Sequence, residues 1–216
     1  MRIALIGMAG SGKSYWSMKL EKRGFIRFCC DDIIAQKLSD EINTSGLPTK
    51  TVAEWMGFPD QSGYSYRESR YLQCEKEAME EILAYLSTRS LTTNKDIVVD
   101  TTGSVIYLPD KFLQRLQELT TVVLLSTPPE AMGKLLQDYI TRPHPMVWSN
   151  NFQKSPGETR RQALERCYPQ LFKSCQMLYQ KYAHISLDYY ELRAKGFDAD
   201  HFLAQIQGLS RGNLAR

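Results

Sequence analysis

Residues Gly7 to Ser14 read Gly-Met-Ala-Gly-Ser-Gly-Lys-Ser, the spacing G-x-x-x-x-G-K-S. Glycines at Gly7, Gly10 and Gly12 permit backbone angles that a side chain would forbid. The loop's N–H groups then face one way and, with the N-terminus of a following helix, cradle phosphate oxygens. Ala9, Gly10, Ser11, Gly12, Lys13, Ser14 and Tyr15 are expected against a nucleotide, with Gly7 opening the turn. Lys13 adds a full positive charge, and the Ser14 hydroxyl is placed to ligate Mg²⁺. A glycine-rich turn that binds nothing would need the Lys-Ser pair, the apolar strand Ile3–Ile6 before it and the helix after it all to be coincidental. The motif points to nucleotide binding and is silent about any second substrate.

Carboxylates come next. Asp100 ends the β-branched run Ile97-Val98-Val99, where an acid reaches Mg²⁺ or its water shell; a turn-forming Asp beside Thr101-Thr102-Gly103 is the plainer reading. Asp31 and Asp32 follow a second strand, and a carboxylate there positions or deprotonates an attacking hydroxyl. Either can be the base, and one also suits the cap of a helix from Ile33. Of the cations, Arg142, Arg160 and Arg161 surround a candidate lid, where arginines arriving on closure offset charge in a loose transition state. Adjacent Arg160 and Arg161 point about 100° apart on a helix, so both cannot face one phosphate. A solvated basic face accounts for any one of them equally well. Arg67 and Arg70 are alternative partners for an anionic substrate group. His144 is expected on the lid surface and His184 in the sheet core, with Trp55, Tyr64 and Trp148 as packing anchors.

These residues must be held by alternating strands and helices. Strands are expected over Phe25–Cys29, Ile97–Asp100, Thr121–Leu125 and His184–Leu187, besides Ile3–Ile6. Helices are expected over Tyr15–Arg23, Ile33–Leu38, Tyr66–Ser87, Leu108–Leu119, Pro129–Tyr139, Glu158–Tyr182 and Phe197–Ile206. Glu68, Glu75, Lys76, Glu80 and Glu81 mark a charged face on the third helix, and Pro169 predicts a break in the sixth. Residues 39–65, with Gly46, Pro48, Gly57, Pro59 and Gly63, read as an irregular substrate-side excursion. Residues 141–158 read as a mobile lid rather than a core element. The last residues, from Gly208, are expected to fray. The order predicts an α/β layer fold, a mostly parallel sheet of about five strands with helices on both faces. Right-handed crossovers bring the phosphate loop, Asp31, Asp32 and Asp100 to one rim.

The chain has 216 residues, suiting a single domain over 1–216 that includes the excursion and the lid. A formal net charge of +3 is too small to argue for nucleic acid. No apolar run approaches the roughly 18 residues of a membrane helix. Cys29, Cys30, Cys74, Cys167 and Cys175 lack metal-ligand spacing and read as small apolar residues. A cytoplasmic, monomeric protein is the expectation.

Together, Gly7–Ser14, Asp31-Asp32-Ile33-Ile34, Asp100-Thr101-Thr102-Gly103 and Arg142-Pro143 resemble the shikimate-kinase-like branch of small-molecule P-loop kinases. Arg166-x-x-Pro169-x-Leu171-Phe172 with Tyr182-Ala183-His184-Ile185 looks like that family's nucleotide-side segment, which implies Arg166 near adenine or phosphates. The resemblance implies a five-stranded parallel sheet in 2-3-1-4-5 order, ATP with Mg²⁺, and phosphoryl transfer to a hydroxyl of a small metabolite. Departures fall on the acceptor side. Shikimate kinases carry Asp-x-Asp where the earlier acid is here Cys29 or Cys30, and Gly-Gly-Gly where Thr101-Thr102-Gly103 stands. Their Phe-Arg-x-x-Glu signature is blurred in Tyr66-Arg67 or Arg70-Tyr71. The Asp-Ile-Ile-Ala stretch also resembles dephospho-coenzyme A kinase. A nucleotide-binding regulatory module, or a degenerate kinase hydrolysing slowly, is the alternative.

Overall fold

The computed structural model describes residues 1–44, 51–88 and 95–214. Strands β1 (Arg2–Ile6), β2 (Ile26–Cys29), β3 (Ile97–Asp100), β4 (Thr121–Leu125) and β5 (Ile185–Leu187) form one sheet of order β2-β3-β1-β4-β5. Every pairing is parallel. The central strands are near-continuous apolar runs because both of their faces are covered. Alternation along each strand sorts the side chains between two cores. Ile3, Leu5, Val98, Val123 and Leu125 face helices α1 (Lys13–Glu21) and α8 (Ala199–Leu214), meeting Trp16, Leu20, Phe202 and Ile206. Ala4, Ile6, Ile97, Val99, Val122 and Leu124 face the other way, into the larger core. That core is roofed by α2 (Cys30–Thr44), α4 (Tyr64–Thr88), α5 (Asp110–Leu119), α6 (Met132–Thr141) and α7 (Arg160–Tyr182). Each fully buried Leu, Ile or Val there contributes about 1.5–3 kcal/mol.

Several elements depart from expectation. The glycine loop passes straight into α1 at Lys13, two residues before the expected start. Helix α2 runs on through the start of the excursion to Thr44. Within residues 39–65 a short helix α3 (Val52–Met56) forms, closed at its start by a capping box between Thr51 and Glu54; Gly46 and Pro48 lie outside the described residues. Pro169 does not break α7, which is continuous from Arg160 to Tyr182. The one lost N–H bond is outweighed by burial of Tyr168, Leu171 and Phe172 around it. The C-terminus is helical through Leu214 rather than frayed.

The lid expectation needs the largest correction. Met146, Val147 and Trp148 lie in the core, with Trp148 wholly buried. Glu68 Oε1 on α4 accepts from the backbone N–H groups of Trp148 (2.7 Å) and Ser149 (2.9 Å). The Tyr64 hydroxyl donates to the Met146 carbonyl (2.6 Å), and the Trp148 indole N–H donates to the Tyr139 hydroxyl (3.3 Å). Three consecutive apolar side chains override the prolines on either side, so the segment is pinned at its middle. The charged face of α4 is corrected likewise. Glu75 is completely buried, lying one turn from both Tyr71 and Met79 on the helix's inward face.

Candidate active site

The phosphate loop follows β1. Gly7 has φ 141°, and a Cβ there would stand 2.7 Å from the Leu125 carbonyl oxygen, so only glycine fits. Gly12, at φ 108°, precedes α1 and offers no side-chain cap, leaving the first N–H groups of the helix for an anion. Lys13 is buried beneath the loop, where its ammonium donates to the carbonyls of Gly7 (2.8 Å) and Met8 (3.1 Å). Burial lowers its pKa, with Asp100, Asp31 and Glu75 pulling the other way. Ser14 is exposed on the same rim.

A cleft of about 630 Å³ opens beside the loop. Ala9, Gly10, Gly12, Lys13, Ser14 and Tyr15 form one wall, and Asp31, Asp32, Ile34 and Ala35 of α2 another. The rest of the lining is Thr51, Val52, Ala53, Tyr71, Thr102, Gly103, Pro143, His144 and Pro145. The structure thus brings together the loop and both aspartates. Enclosure raises the pKa of Asp31 while nearby Lys13 lowers it, and the Tyr71 hydroxyl lies 3.5 Å from Asp31 Oδ1. Gly103 packs closely on the loop, a Cβ there coming within 3.2 Å of the Ala9 nitrogen.

Asp100 sits at the end of β3 on the α1 side, almost fully buried. Its Oδ2 accepts from Ser17 Oγ (2.8 Å) and from the Arg27 guanidinium (2.8 Å). Its Oδ1 has no hydrogen-bond partner among the described residues. A buried carboxylate oxygen left free at the end of β3, with the Ser14 hydroxyl exposed on the same rim, is a donor set that suits a hydrated Mg²⁺. Arg27 was not foreseen. It sits on β2 in register with Val98 and clamps Asp100 and Ser17, with Asp32 3.9 Å away.

The basic residues of the lid are not brought into the cleft. Arg142 is exposed, and among the described residues its side chain keeps one ion-pair contact, with Asp138 at 3.5 Å. Arg160 is held by Asp60 (2.6 Å) and lies over the Phe58 ring (4.6 Å). Arg161 pairs with Glu165, and Arg166 with Glu158 and the Gln153 carbonyl. Arg67 binds the carbonyls of Met56 and Ser62, and Arg70 binds Glu41. The arginine that does touch the loop is Arg193, after β5. Its guanidinium stacks on Tyr189 at 3.6 Å and donates to the Ser11 carbonyl at 3.1 Å. Arg193 also lines a second cleft of about 310 Å³ with Ser11, Gly12, Tyr15, Trp16 and Phe197. Its place after a parallel strand was the available signal, since ligands gather on that rim.

The histidines exchange places relative to expectation. His184 is exposed, its Nδ1 accepting from the Val122 N–H at 3.0 Å. His144 lines the cleft, with a buried Nε2 that has no hydrogen-bond partner among the described residues. Burial, then Lys13, hold its pKa down at about 4, so the ring is neutral at pH 7. Behind the cleft, Thr102 and Ser104 (2.7 Å) donate to the carboxylate of Glu75, whose pKa burial raises to about 7. All the described cysteines are free thiols, and no metal-ligand cluster of His, Cys, Asp and Glu occurs among the described residues. Nor is any helix among them long and apolar enough to cross a membrane.

No protein-family model and no curated protein matches the chain. Solved structures do. Shikimate kinase from Acinetobacter baumannii, in complex with shikimate, is similar at a TM-score of 0.58 and 20% identity, over 99% of this chain and 93% of that one. Shikimate kinase from Aquifex aeolicus gives 0.56 and 17%, over 99% and 98%. Dephospho-CoA kinase from Campylobacter jejuni gives 0.50 and 14%, over 98% of both. Sheet order, phosphate loop and coverage of nearly the whole chain give this protein the P-loop kinase fold that these structures share.

Proposed function

We propose that the protein is an ATP-dependent kinase that transfers a phosphoryl group to a hydroxyl of a small molecule. One observation carries the reading: an uncapped, glycine-shaped phosphate loop with a buried lysine forms the wall of a cleft whose opposite wall holds two carboxylates. Loop amides and Lys13 hold the β- and γ-phosphates, and Arg193 and Tyr15 flank the nucleotide in the smaller cleft. Arg193 takes the place expected of Arg166. Ser14 and Asp100 would hold Mg²⁺, which would offset phosphate charge. Asp31 orients the acceptor hydroxyl and takes its proton, being the carboxylate supported by Tyr71, and Asp32 stands beside it.

Among the lid arginines, Arg142 is the one suited to reach the transferred group. It directly precedes cleft-lining Pro143 and gives up only one long contact, whereas Arg160 would lose Asp60 and Phe58. Arg142→Ala should lower kcat by about 10²–10³-fold with little change in nucleotide KM. The primary test is Lys13→Ala, which should abolish ATP turnover while circular dichroism and the unfolding midpoint stay those of a folded protein. Unchanged turnover would sink the mechanism. A nucleotide-binding regulatory module is the second reading, favoured by the pairing of Arg160 and Arg161 away from the cleft. ADP release that no hydroxyl compound stimulates would select it.

A further inference from the structure

Strand alternation puts Val98 and Asp100 of β3 on the face covered by α1, and Arg27 of β2 pairs with Val98 in register. From there the Arg27 guanidinium spans two partners. Its Nε donates to Ser17 Oγ (2.7 Å) and a terminal nitrogen donates to Asp100 Oδ2 (2.8 Å). Ser17 Oγ closes the triangle, lying 2.8 Å from Asp100 Oδ2, and is 3.1 Å from the Ser14 carbonyl oxygen one turn earlier in α1. Ser17 and Asp100 are buried, and the Arg27 side chain is only 14% exposed, so water competes weakly for these bonds. The other terminal nitrogen of Arg27 is 3.9 Å from Asp32 on the cleft wall. One side chain therefore ties the acid at the end of β3 to the helix that carries Ser14 and to a carboxylate of the cleft.

A planar guanidinium holds two acceptors at fixed angles, whereas a lysine ammonium acts as a point charge. Held at Oδ2 by both Arg27 and Ser17, the Asp100 carboxylate cannot turn as it could on a single ion pair. Hydrogen bonds of this kind, made to a carboxylate that serves a metal, commonly change metal affinity by about 10–100-fold. We propose that Arg27 and Ser17 are positioning residues for the metal of this site, locking Asp100 to the first turns of α1 so that it and Ser14 keep a fixed relation. The inference rests on the Mg²⁺ reading given above and deepens it.

The test reads metal binding rather than turnover. Calorimetry gives the Kd of ADP for the full chain in excess Mg²⁺ and in EDTA, and their ratio is the gain due to the metal. Ser17→Ala removes one corner of the triangle and leaves the Arg27–Asp100 pair; Arg27→Lys keeps the charge and loses the fork. Each should cut the metal-dependent gain by about tenfold or more, while the Kd in EDTA stays that of the wild type. The EPR signal of Mn²⁺ bound together with ADP should weaken in parallel. An unchanged gain in both variants, or a loss equal with and without metal, overturns this inference and leaves the Mg²⁺ reading standing. No gain from Mg²⁺ in the wild type removes that reading and this inference with it.

Discussion

At the scale of single residues, Glu75 ties the site to the stability of the fold. Its carboxyl is wholly buried and holds its proton up to about pH 7, against an ordinary value of 4.5. The folded state therefore binds this proton more tightly than the unfolded state does. That contribution is fully present below pH 4.5 and is lost as pH rises to about 7, an effect of about 3 kcal/mol. Glu75→Gln should flatten this limb; urea midpoints measured from pH 4 to 8 on both proteins check it. Arg193 offers a second test. Arg193→Ala should raise the KM for ATP about tenfold and leave the acceptor KM unchanged, since its stacked guanidinium touches only the loop side. Neither residue announced itself. Glu75 is spaced like its solvated neighbours Glu80 and Glu81, and only its offset of one turn from Tyr71 and Met79 marks the inward face.

Among the elements, the segment between α6 and α7 shows how composition and packing disagree. Pro143, Pro145, Pro156 and Gly157 read as a mobile connection, yet Trp148 fills the space between Tyr139, Phe152 and Tyr168. Trp148→Ala should cost about 3–5 kcal/mol in chemical unfolding, as for a core tryptophan. A surface-loop value below about 1 kcal/mol would show that the segment is not anchored. Of the two flanks of this anchored segment, Pro143, His144 and Pro145 border the cleft. The strands, by contrast, were legible nearly residue for residue. Burial on both faces leaves little choice but Ile, Val and Leu, and a short apolar run between turns has few other readings. Helix ends were less so, because caps and tertiary contacts set them rather than periodicity. Pro169 was misleading because a single lost hydrogen bond is small beside the aromatic packing around it.

For the whole molecule, nucleotide binding should register as stability. Mg²⁺ with ATP at a hundred times its Kd should add about 2.7 kcal/mol to unfolding, visible as a rise in Tm of several degrees. Lys13→Ala should lose most of that rise. The loop's conformation was legible because it is local in sequence. The two clefts were not, because chain segments as distant as Asp31, Tyr71, His144 and Arg193 meet only once the sheet is wound. That arrangement has a practical side. Gly12 and Tyr15 border both cavities, so the two clefts adjoin at the end of the phosphate loop. A single molecule with one arm in each cavity would need only a short link past these two residues, and its second arm would bind at high effective concentration. Such a bivalent ligand should exceed either half by about 10²–10⁴-fold, making the loop the natural place to join two weak fragments into one tight inhibitor.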